Sequence, residues 1–204
     1  MLMTSPILLT TDGAIATVVL NNPAKMNAIT LEAWAELGRV MRKLSADEQL
    51  RCVVLRGAGE KAFSAGADIS EFARVRANAA QARDYGAVVA GTLQALRDCI
   101  HPTVAAIQGA CTGGGLEIAC GCDMRIAGAS ARFGVPINKL GHAFAYAEMQ
   151  TVLTAADRKL VLELILEGRI VDAAEALRRD LVNRVVADTD FEDEIKATTR
   201  RIAE

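Results

Sequence analysis

The chain has 204 residues, which is enough for one domain with a substantial buried core and too few for two full domains. Its 23 basic and 25 acidic residues give a net charge of -2 without a long basic run, so nucleic acid and anionic membranes are not expected partners. The N-terminus lacks a signal-like apolar stretch, and no apolar run reaches the length of a membrane span. We therefore predict a cytoplasmic protein.

The cysteines are odd in number and lie mostly within apolar segments. The five are Cys52, Cys99, Cys111, Cys120 and Cys122. This distribution is typical of reduced thiols in a core rather than of a disulfide framework. Cys120 and Cys122 are too close together for the common zinc spacing, and no second pair accompanies them, so no metal site is predicted.

The first part of the chain alternates strands and helices. Residues 7–9 and 14–20 are expected to form two strands around a turn, which makes a hairpin. A helix is predicted over residues 31–44, with Thr30 as its N-cap. A short strand over residues 52–55 follows that helix.

A loop of small residues, 57–67, then precedes the middle of the chain. Exposed loops of this kind often carry function. Asp68 or Ser70 could cap the next helical segment, and residues 81–99 have the pattern of an amphipathic helix.

The remainder continues the alternation. Further strands are predicted at 103–107, 123–127 and 181–186, a turn at 133–136, and helices at 158–166, 172–178 and 191–203. The pattern predicts an α/β fold, although strand order does not follow from it.

The segment 109–117 is the most informative in the chain. A strand is predicted to end there, glycines form a turn, and a helix begins. Gly113, Gly114 and Gly115 leave backbone N–H groups unshielded. Such groups at a helix start favour an oxygen that carries negative charge. Glu117 lies one turn after Gly114, so the two should face the same side. The segment therefore predicts an oxyanion donor beside a proton carrier.

Three other interpretations of these residues compete with that one. The glycines could form a purely structural turn, with Glu117 on an exposed helix face. A dinucleotide site is disfavoured because the G-x-G-x-x-G spacing is absent. A serine hydrolase is disfavoured because Ser64 has no G-x-S-x-G setting and His101 directly precedes Pro102.

Several separated segments resemble the crotonase superfamily, the enoyl-CoA hydratase/isomerase family, over nearly all of the chain. Residues 22–28 resemble its first CoA-contact loop, residues 62–69 its first oxyanion-hole loop and residues 109–117 its second. Residues 122–127 and 133–136 follow in the family's order. The resemblance implies an α/β, crotonase-like (ClpP/crotonase) spiral of β-β-α units with a helical C-terminal region. It also implies an acyl-CoA-binding core over 1–190 and the start of a C-terminal helical segment over 191–204.

The resemblance also implies a site. The backbone N–H groups of Ala67 and Gly114 would hold the thioester carbonyl of an acyl-CoA, and Glu117 would be the main acid/base. The residues expected to contact CoA or the acyl group are Lys25, Ala28, Ala65, Gly66, Asp68, Ile69, Gly113, Pro136 and Ile137. Coenzyme A enters as part of the substrate, with no other cofactor. A homotrimer or a dimer of trimers is the expected assembly.

This chain departs from the family pattern at the second catalytic acid. That acid follows Phe-Gly-x-Pro in the family, whereas Ile137 occupies the position here and can neither donate nor accept a proton. His142, Tyr146 or Glu148 could replace it. Hydration, isomerisation and acyl-CoA binding without catalysis all remain open. The resemblance further leads us to expect a C-terminal helical segment beyond Glu204 that assists trimer assembly and covers the acyl pocket.

Overall fold

The computed structural model describes residues 5–141 and 144–204. The strands in these residues are β1 (Ile7–Asp12), β2 (Ile15–Leu20), β3 (Cys52–Gly57), β4 (Ala62–Ser64), β5 (Thr103–Ile107), β6 (Ala110–Thr112), β7 (Met124–Gly128), β8 (Arg132–Gly134), β9 (Ile170–Asp172) and β10 (Arg184–Val186). They form a larger sheet in the order β1-β2-β3-β5-β7-β10 and a smaller sheet in the order β4-β6-β8-β9. All neighbours are parallel except the pairs β1–β2 and β8–β9.

The α-helices of the described residues connect these strands. They are α1 (Leu31–Ser45), α2 (Phe72–Val75), α3 (Ala79–Arg97), α4 (Gly114–Gly121), α5 (Tyr146–Ala155), α6 (Arg158–Leu162), α7 (Ala173–Arg178) and α8 (Phe191–Ala203). Short 3₁₀ turns occupy Pro23–Lys25, Ile69–Glu71, Pro136–Leu140 and Asp188–Asp190, and a π turn, Glu163–Glu167, extends α6. The predicted helices are therefore present, with ends that shift by one or two residues, whereas α5 was not predicted.

The chain winds as a spiral of repeated units. Each of the successive strand pairs β3–β4, β5–β6 and β7–β8 places its first strand in the larger sheet and its second in the smaller sheet, and helices follow each pair. This arrangement confirms the predicted crotonase-like spiral. It also brings the ends of β4 and β6, which are neighbours in the smaller sheet, to the same edge.

The central strands of the larger sheet are mostly apolar, and both of their faces are covered. Val53 and Leu55 of β3 belong to the main core, while Cys52 and Val54 point to the opposite face. Helix α8 covers that opposite face, where Phe191 packs against the same cluster. The division of the chain at residue 190 stays a prediction.

Thr30 caps α1 as predicted. Its hydroxyl accepts a hydrogen bond from the Ala33 N–H at 3.1 Å, which satisfies one of the unpaired donors at the helix start. The buried face of α1 includes Trp34, Leu37 and Met41. Asp68 is likewise a cap, since its carboxylate accepts from the Ser70 N–H at the 3₁₀ turn Ile69–Glu71.

Three-residue strands account for most of the errors in the sequence-based assignment. β4 lies inside the segment predicted as a loop, and β6 lies inside the glycine turn. The predicted turn at 133–136 contains the end of β8, and β9 was not predicted. The predicted strand at 181–186 is confined to β10. A strand this short carries too little side-chain alternation to be recognised without its neighbours.

All five cysteines are free, as predicted, and Cys99 is half-buried while the others are buried. Burial raises the pKa of the Cys52 thiol to about 11 and that of Cys120 to about 12, so both remain protonated at neutral pH. Within residues 5–141 and 144–204, no cluster of three or more potential metal ligands occurs. None of the helices in these ranges is long and apolar enough to cross a membrane.

Candidate active site

The loop after β4 and the loop after β6 lie against each other through their backbones. Gly66 has a φ of +92°, and a Cβ at this position would stand 2.8 Å from the Thr112 carbonyl oxygen and 3.0 Å from the Gly114 nitrogen. Any side chain at Gly66 would therefore push the two loops apart. Glycine is required here both for the conformation and for the close approach.

Gly113 and Gly114 set the start of α4. Gly113 has a φ of +51°, and its N–H donates to the Gly134 carbonyl at 2.9 Å, which ties the turn to β8. A Cβ on Gly114 would come within 2.7 Å of the Trp34 ring, so the first turn of α4 rests on the indole of α1. The position of the Gly114 N–H is thus fixed by contacts on both sides.

The backbone donors without an acceptor in the described part of the chain include two that face each other across this junction. They are the N–H groups of Ala67 and Gly114. The Ala67 loop is held by its neighbours, because the Ile29 N–H donates to Gly66 and the Asp68 N–H donates to Ile29, at 2.8 and 2.9 Å. Buried or half-buried N–H groups are rarely left unpaired unless a ligand or water takes the bond. The two donors are therefore available to a ligand oxygen.

These donors open onto a cavity of about 130 Å³. Its lining residues come from both loops, from α1, α3, α4 and α5, and from the segments before α3 and after β8. They are Trp34, Ala65, Gly66, Ala67, Ile69, Phe72, Arg76, Tyr85, Val89, Thr112, Gly113, Gly114, Glu117, Val135, Pro136, Ile137, Leu140, Phe144 and Glu148.

Glu117 lies on the first turn of α4 and is 5% exposed. No hydrogen bond to its carboxylate is formed by the described residues, although its N–H continues the helix by donating to Gly113. Burial raises the pKa of this carboxyl well above its usual range, and the charge of Glu148 raises it further. Glu117 therefore retains a proton at pH values where an exposed glutamate is ionised.

Glu148 lies on the first turn of α5 and lines the same cavity. Its carboxylate accepts a long hydrogen bond, 3.4 Å, from the Ala145 N–H. Burial raises the pKa of the Glu148 carboxyl, while this N–H and the positive charge of Arg76 oppose the rise. The cavity thus holds two carboxyl groups from different helices beside the two unpaired N–H groups.

Comparison with known proteins identifies the family. The model of the Enoyl-CoA hydratase/isomerase family matches residues 10–204. The chain belongs to the enoyl-CoA hydratase/isomerase family. It is 34% identical to the short-chain-enoyl-CoA hydratase of Clostridium acetobutylicum, over 96% of this chain and 74% of that one. A probable enoyl-CoA hydratase of Mycobacterium bovis is 37% identical, over 97% and 75%.

Solved structures agree with this family membership. An enoyl-CoA hydratase/carnithine racemase from Magnetospirillum magneticum has a TM-score of 0.96 at 49% identity, and the match covers 98% of this chain and 75% of that one. The predicted family and fold are confirmed. This protein is accordingly an enzyme of the enoyl-CoA hydratase/isomerase type.

Most of the site residues predicted from the resemblance line the cavity of this hydratase/isomerase-type enzyme. The cavity includes Ala65, Gly66, Ala67, Ile69, Gly113, Gly114, Glu117, Pro136 and Ile137, but not Lys25, Ala28 or Asp68. Lys25 and Asp68 instead form an ion pair at 2.8 Å. Ala28 is half-buried and its N–H donates to the Lys25 carbonyl. The Lys25–Asp68 pair joins the first predicted CoA-contact loop to the Ala67 loop, whereas the Ala28 hydrogen bond lies within the first of these loops.

Of the three replacements considered for the second acid, the described residues bring one into the cavity. Glu148 lines it, whereas Tyr146 is 86% exposed and does not. His142 lies outside the described residues. Ile137 lines the cavity as an apolar side chain and packs against the main core.

Sequence reasoning missed a second group of lining residues: Phe72, Arg76 and Tyr85. Trp34 was assigned to the core, and it is indeed 1% exposed, but it also lines the cavity. Nothing in the local pattern marks these side chains as site residues. Arg76 follows directly after the short helix α2, a position that carries no such mark in the sequence.

Proposed function

We propose that this enzyme hydrates 2-enoyl-CoA thioesters with short acyl groups, using Glu117 and Glu148 as its two acid/base groups. The observation that supports this most directly is that both carboxyls line the cavity onto which the Ala67 and Gly114 N–H groups open. A family member that lacks an acid at Ile137 would in this way recover two proton-carrying groups. The proposal favours catalysis over acyl-CoA binding alone.

The two N–H groups would bind the thioester carbonyl oxygen. When the β-carbon is attacked, negative charge moves onto this oxygen, so fixed donors stabilise the enolate more than the substrate. One such donor is typically worth about 2.7–4 kcal/mol in catalysis. Ala65, Gly66, Ile69 and Gly113 would then line the path of the thioester.

The CoA portion would extend outside the cavity, past Lys25, Ala28 and Asp68. Lys25 keeps much of its side chain in solvent while it pairs with Asp68, so its charge remains accessible to a phosphate group. Coenzyme A would arrive as part of the substrate, and the proposed reaction uses no other cofactor.

The acyl group would occupy the cavity beside Pro136 and Ile137. An apolar protein cavity of about 150 Å³ accommodates benzene, so a cavity of about 130 Å³ suits a short acyl group rather than a long chain. Ile137 would act as an apolar wall for that group rather than as an acid.

In the proposed reaction, Glu148 is ionised and Glu117 is protonated. Glu148 removes a proton from water while the water oxygen bonds to the β-carbon, and the electron pair of the double bond moves through the α-carbon onto the thioester oxygen. Glu117 then donates its proton to the α-carbon as the carbonyl re-forms. Transfer of the proton from Glu148 to Glu117 restores the starting state. Deeper burial of Glu117 and the charge of Arg76 near Glu148 support this assignment.

Hydration needs one group to activate water and another to protonate carbon, whereas isomerisation can proceed with one carboxyl that moves a proton between carbons. The second carboxyl in the cavity therefore favours the hydratase over the isomerase.

From the family resemblance we also propose a homotrimer or a dimer of trimers that acts in the cytoplasm. Light scattering in solution would test the assembly.

The experiment is to measure hydration of crotonyl-CoA and isomerisation of a 3-enoyl-CoA by the wild type, Glu117→Gln, Glu148→Gln and the surface control Glu167→Gln. We expect hydration to exceed isomerisation, and each cavity variant to lower kcat by about 10²–10⁴-fold, the usual contribution of general acid–base catalysis. Glu167 is exposed, so its variant should behave as wild type. Full hydration by Glu148→Gln would exclude Glu148 as the second acid, and faster isomerisation would exclude the hydratase.

A further inference from the structure

The wall of the cavity contains two buried donors without acceptors. The Nε1–H of Trp34 and the hydroxyl of Tyr85 are buried, and neither forms a hydrogen bond with the described residues. The two side chains are 1% and 4% exposed. They are neighbours, but their groups do not meet in hydrogen-bond geometry. Leaving such groups unpaired costs about 1–3 kcal/mol each, so an acceptor for them is missing from the chain described.

Arg76 supplies a third set of donors to the same wall. Its guanidinium carbon lies 4.6 Å from the ring centroid of Phe72 and 5.0 Å from that of Tyr85. Contact with the two rings restrains the guanidinium group, and the side chain lines the cavity. No hydrogen bond or ion pair joins this guanidinium to residues 5–141 or 144–204, although its charge lowers the pKa of Glu148.

We propose that the acyl group which this enzyme prefers carries a carboxylate at the end remote from the thioester, and that Arg76 and Tyr85 bind it. The proposal rests on the proposed function, because it places the acyl group in the same cavity. The wall offers N–H and O–H donors and a positive charge, and a carboxylate is the acyl substituent that accepts from all of them. Arginine has five N–H donors, which is enough to serve both this carboxylate and Glu148.

Neutral and cationic acyl groups fit the same wall less well. A terminal methyl group would leave the donors of Arg76 and Tyr85 desolvated and unpaired, and sites built to hydrogen-bond a substrate discriminate strongly against an analogue that lacks the partner. A trimethylammonium group would need the faces of aromatic rings, but the Arg76 guanidinium already lies over Phe72 and Tyr85. It would also be repelled by that charge.

The acidic side chains in the cavity are compatible with an acyl group that ends in a carboxylate. Glu117 is held in its neutral form by burial and by Glu148, so it does not repel an incoming carboxylate. The ionised Glu148 lies near the compensating charge of Arg76.

Binding of three saturated acyl-CoA thioesters, measured by calorimetry, tests the proposal without relying on turnover. Glutaryl-CoA ends in a carboxylate, valeryl-CoA in a methyl group and 4-(trimethylammonio)butyryl-CoA in a cation. We expect glutaryl-CoA to bind at least tenfold more tightly than the other two. Arg76→Gln should abolish the preference, Tyr85→Phe should reduce it severalfold, and valeryl-CoA should bind both variants about as tightly as it binds the wild type.

Arg74→Gln is the matched control, because Arg74 lies on α2 two residues before Arg76 and its side chain is 76% exposed. It should keep the wild-type preference, and thermal unfolding should show that all three variants are folded. Equal or tighter binding of valeryl-CoA by the wild type would overturn this proposal while leaving crotonyl-CoA hydration, and with it the proposed function, intact. If none of the three thioesters binds and crotonyl-CoA is not hydrated, the proposed function itself fails.

Discussion

Glu117 and Glu148 line one cavity from two different helices, and the charge of Glu148 adds to burial in raising the pKa of the Glu117 carboxyl. Two carboxyls that interact in a poorly solvated site cannot both ionise easily, so the pair shares a proton over a wide pH range. One group is then a base and its neighbour an acid at the same pH, the condition that the addition of water requires. Burial of the Glu117 carboxyl also lowers the stability of the folded protein, and this effect on stability can be measured.

Replacement of Glu117 by glutamine should stabilise the folded protein at neutral and higher pH. The folded-state pKa of Glu117 is raised above its usual value of 4.5, so the folded state binds this proton more tightly than the unfolded chain does. The stability that follows from it is fully present below pH 4.5 and is lost as pH rises towards the folded-state pKa. Glutamine carries no such penalty.

The measurement is the midpoint of thermal unfolding as a function of pH for the wild type, Glu117→Gln and Glu167→Gln. The gain for Glu117→Gln should grow from about pH 4.5 upward and disappear below it, while Glu167→Gln follows the wild type. A gain that is independent of pH, or a loss at pH 8, would show that Glu117 is not held protonated by its surroundings.

The close approach of the two loops predicts that Gly66→Ala damages the site. A Cβ would meet the Thr112 carbonyl oxygen at 2.8 Å in a backbone region with φ of +92°, which L-residues rarely adopt. We expect the free energy of unfolding to fall by about 1–3 kcal/mol and kcat to fall by at least tenfold, because the Ala67 N–H shifts relative to that of Gly114.

Gly86→Ala is the control for this substitution. Gly86 lies within α3, with no heavy atom within 4 Å of an added Cβ, so the same change should stabilise the protein by about 0.5–1 kcal/mol through the higher helix propensity of alanine. Urea unfolding and crotonyl-CoA kinetics on both variants give the comparison. Wild-type kcat in Gly66→Ala would mean that the loop contact does not position a catalytic donor.

These particular residues show what could be predicted from the sequence. Thr30 and Gly114 were recognised because a cap and a glycine turn are local patterns, and Glu117 follows Gly114 by one helical turn. Glu148 could be placed only as one of three alternatives, because its position depends on how α5 packs beside α4, which no local pattern specifies. Arg76 and Tyr85 were missed for the same reason, since tertiary packing brings the end of α2 and a face of α3 to the cavity.

The ion pair between Lys25 and Asp68 leads to a prediction about loop position rather than stability. Lys25 is largely exposed, so the pair itself should contribute less than about 1 kcal/mol. Asp68 also accepts hydrogen bonds from the N–H and the hydroxyl of Ser70, at 3.1 and 2.6 Å, and caps the following turn. Asp68→Ala should therefore destabilise the protein more than Lys25→Ala, by about 1 kcal/mol, the typical value of a lost cap.

Kinetic measurements would separate the role of the Lys25 charge from that of the Asp68 cap. Lys25→Ala should raise KM for crotonyl-CoA severalfold, because it removes both a charge beside the proposed CoA path and one anchor of the Ala67 loop. Asp68→Asn keeps an acceptor for the Ser70 N–H and loses the charge, so it should preserve most of the cap while reproducing part of the KM effect. If both variants instead show wild-type KM and differ from the wild type only in the urea midpoint, then Lys25 and Asp68 support the loop structurally and take no part in binding CoA.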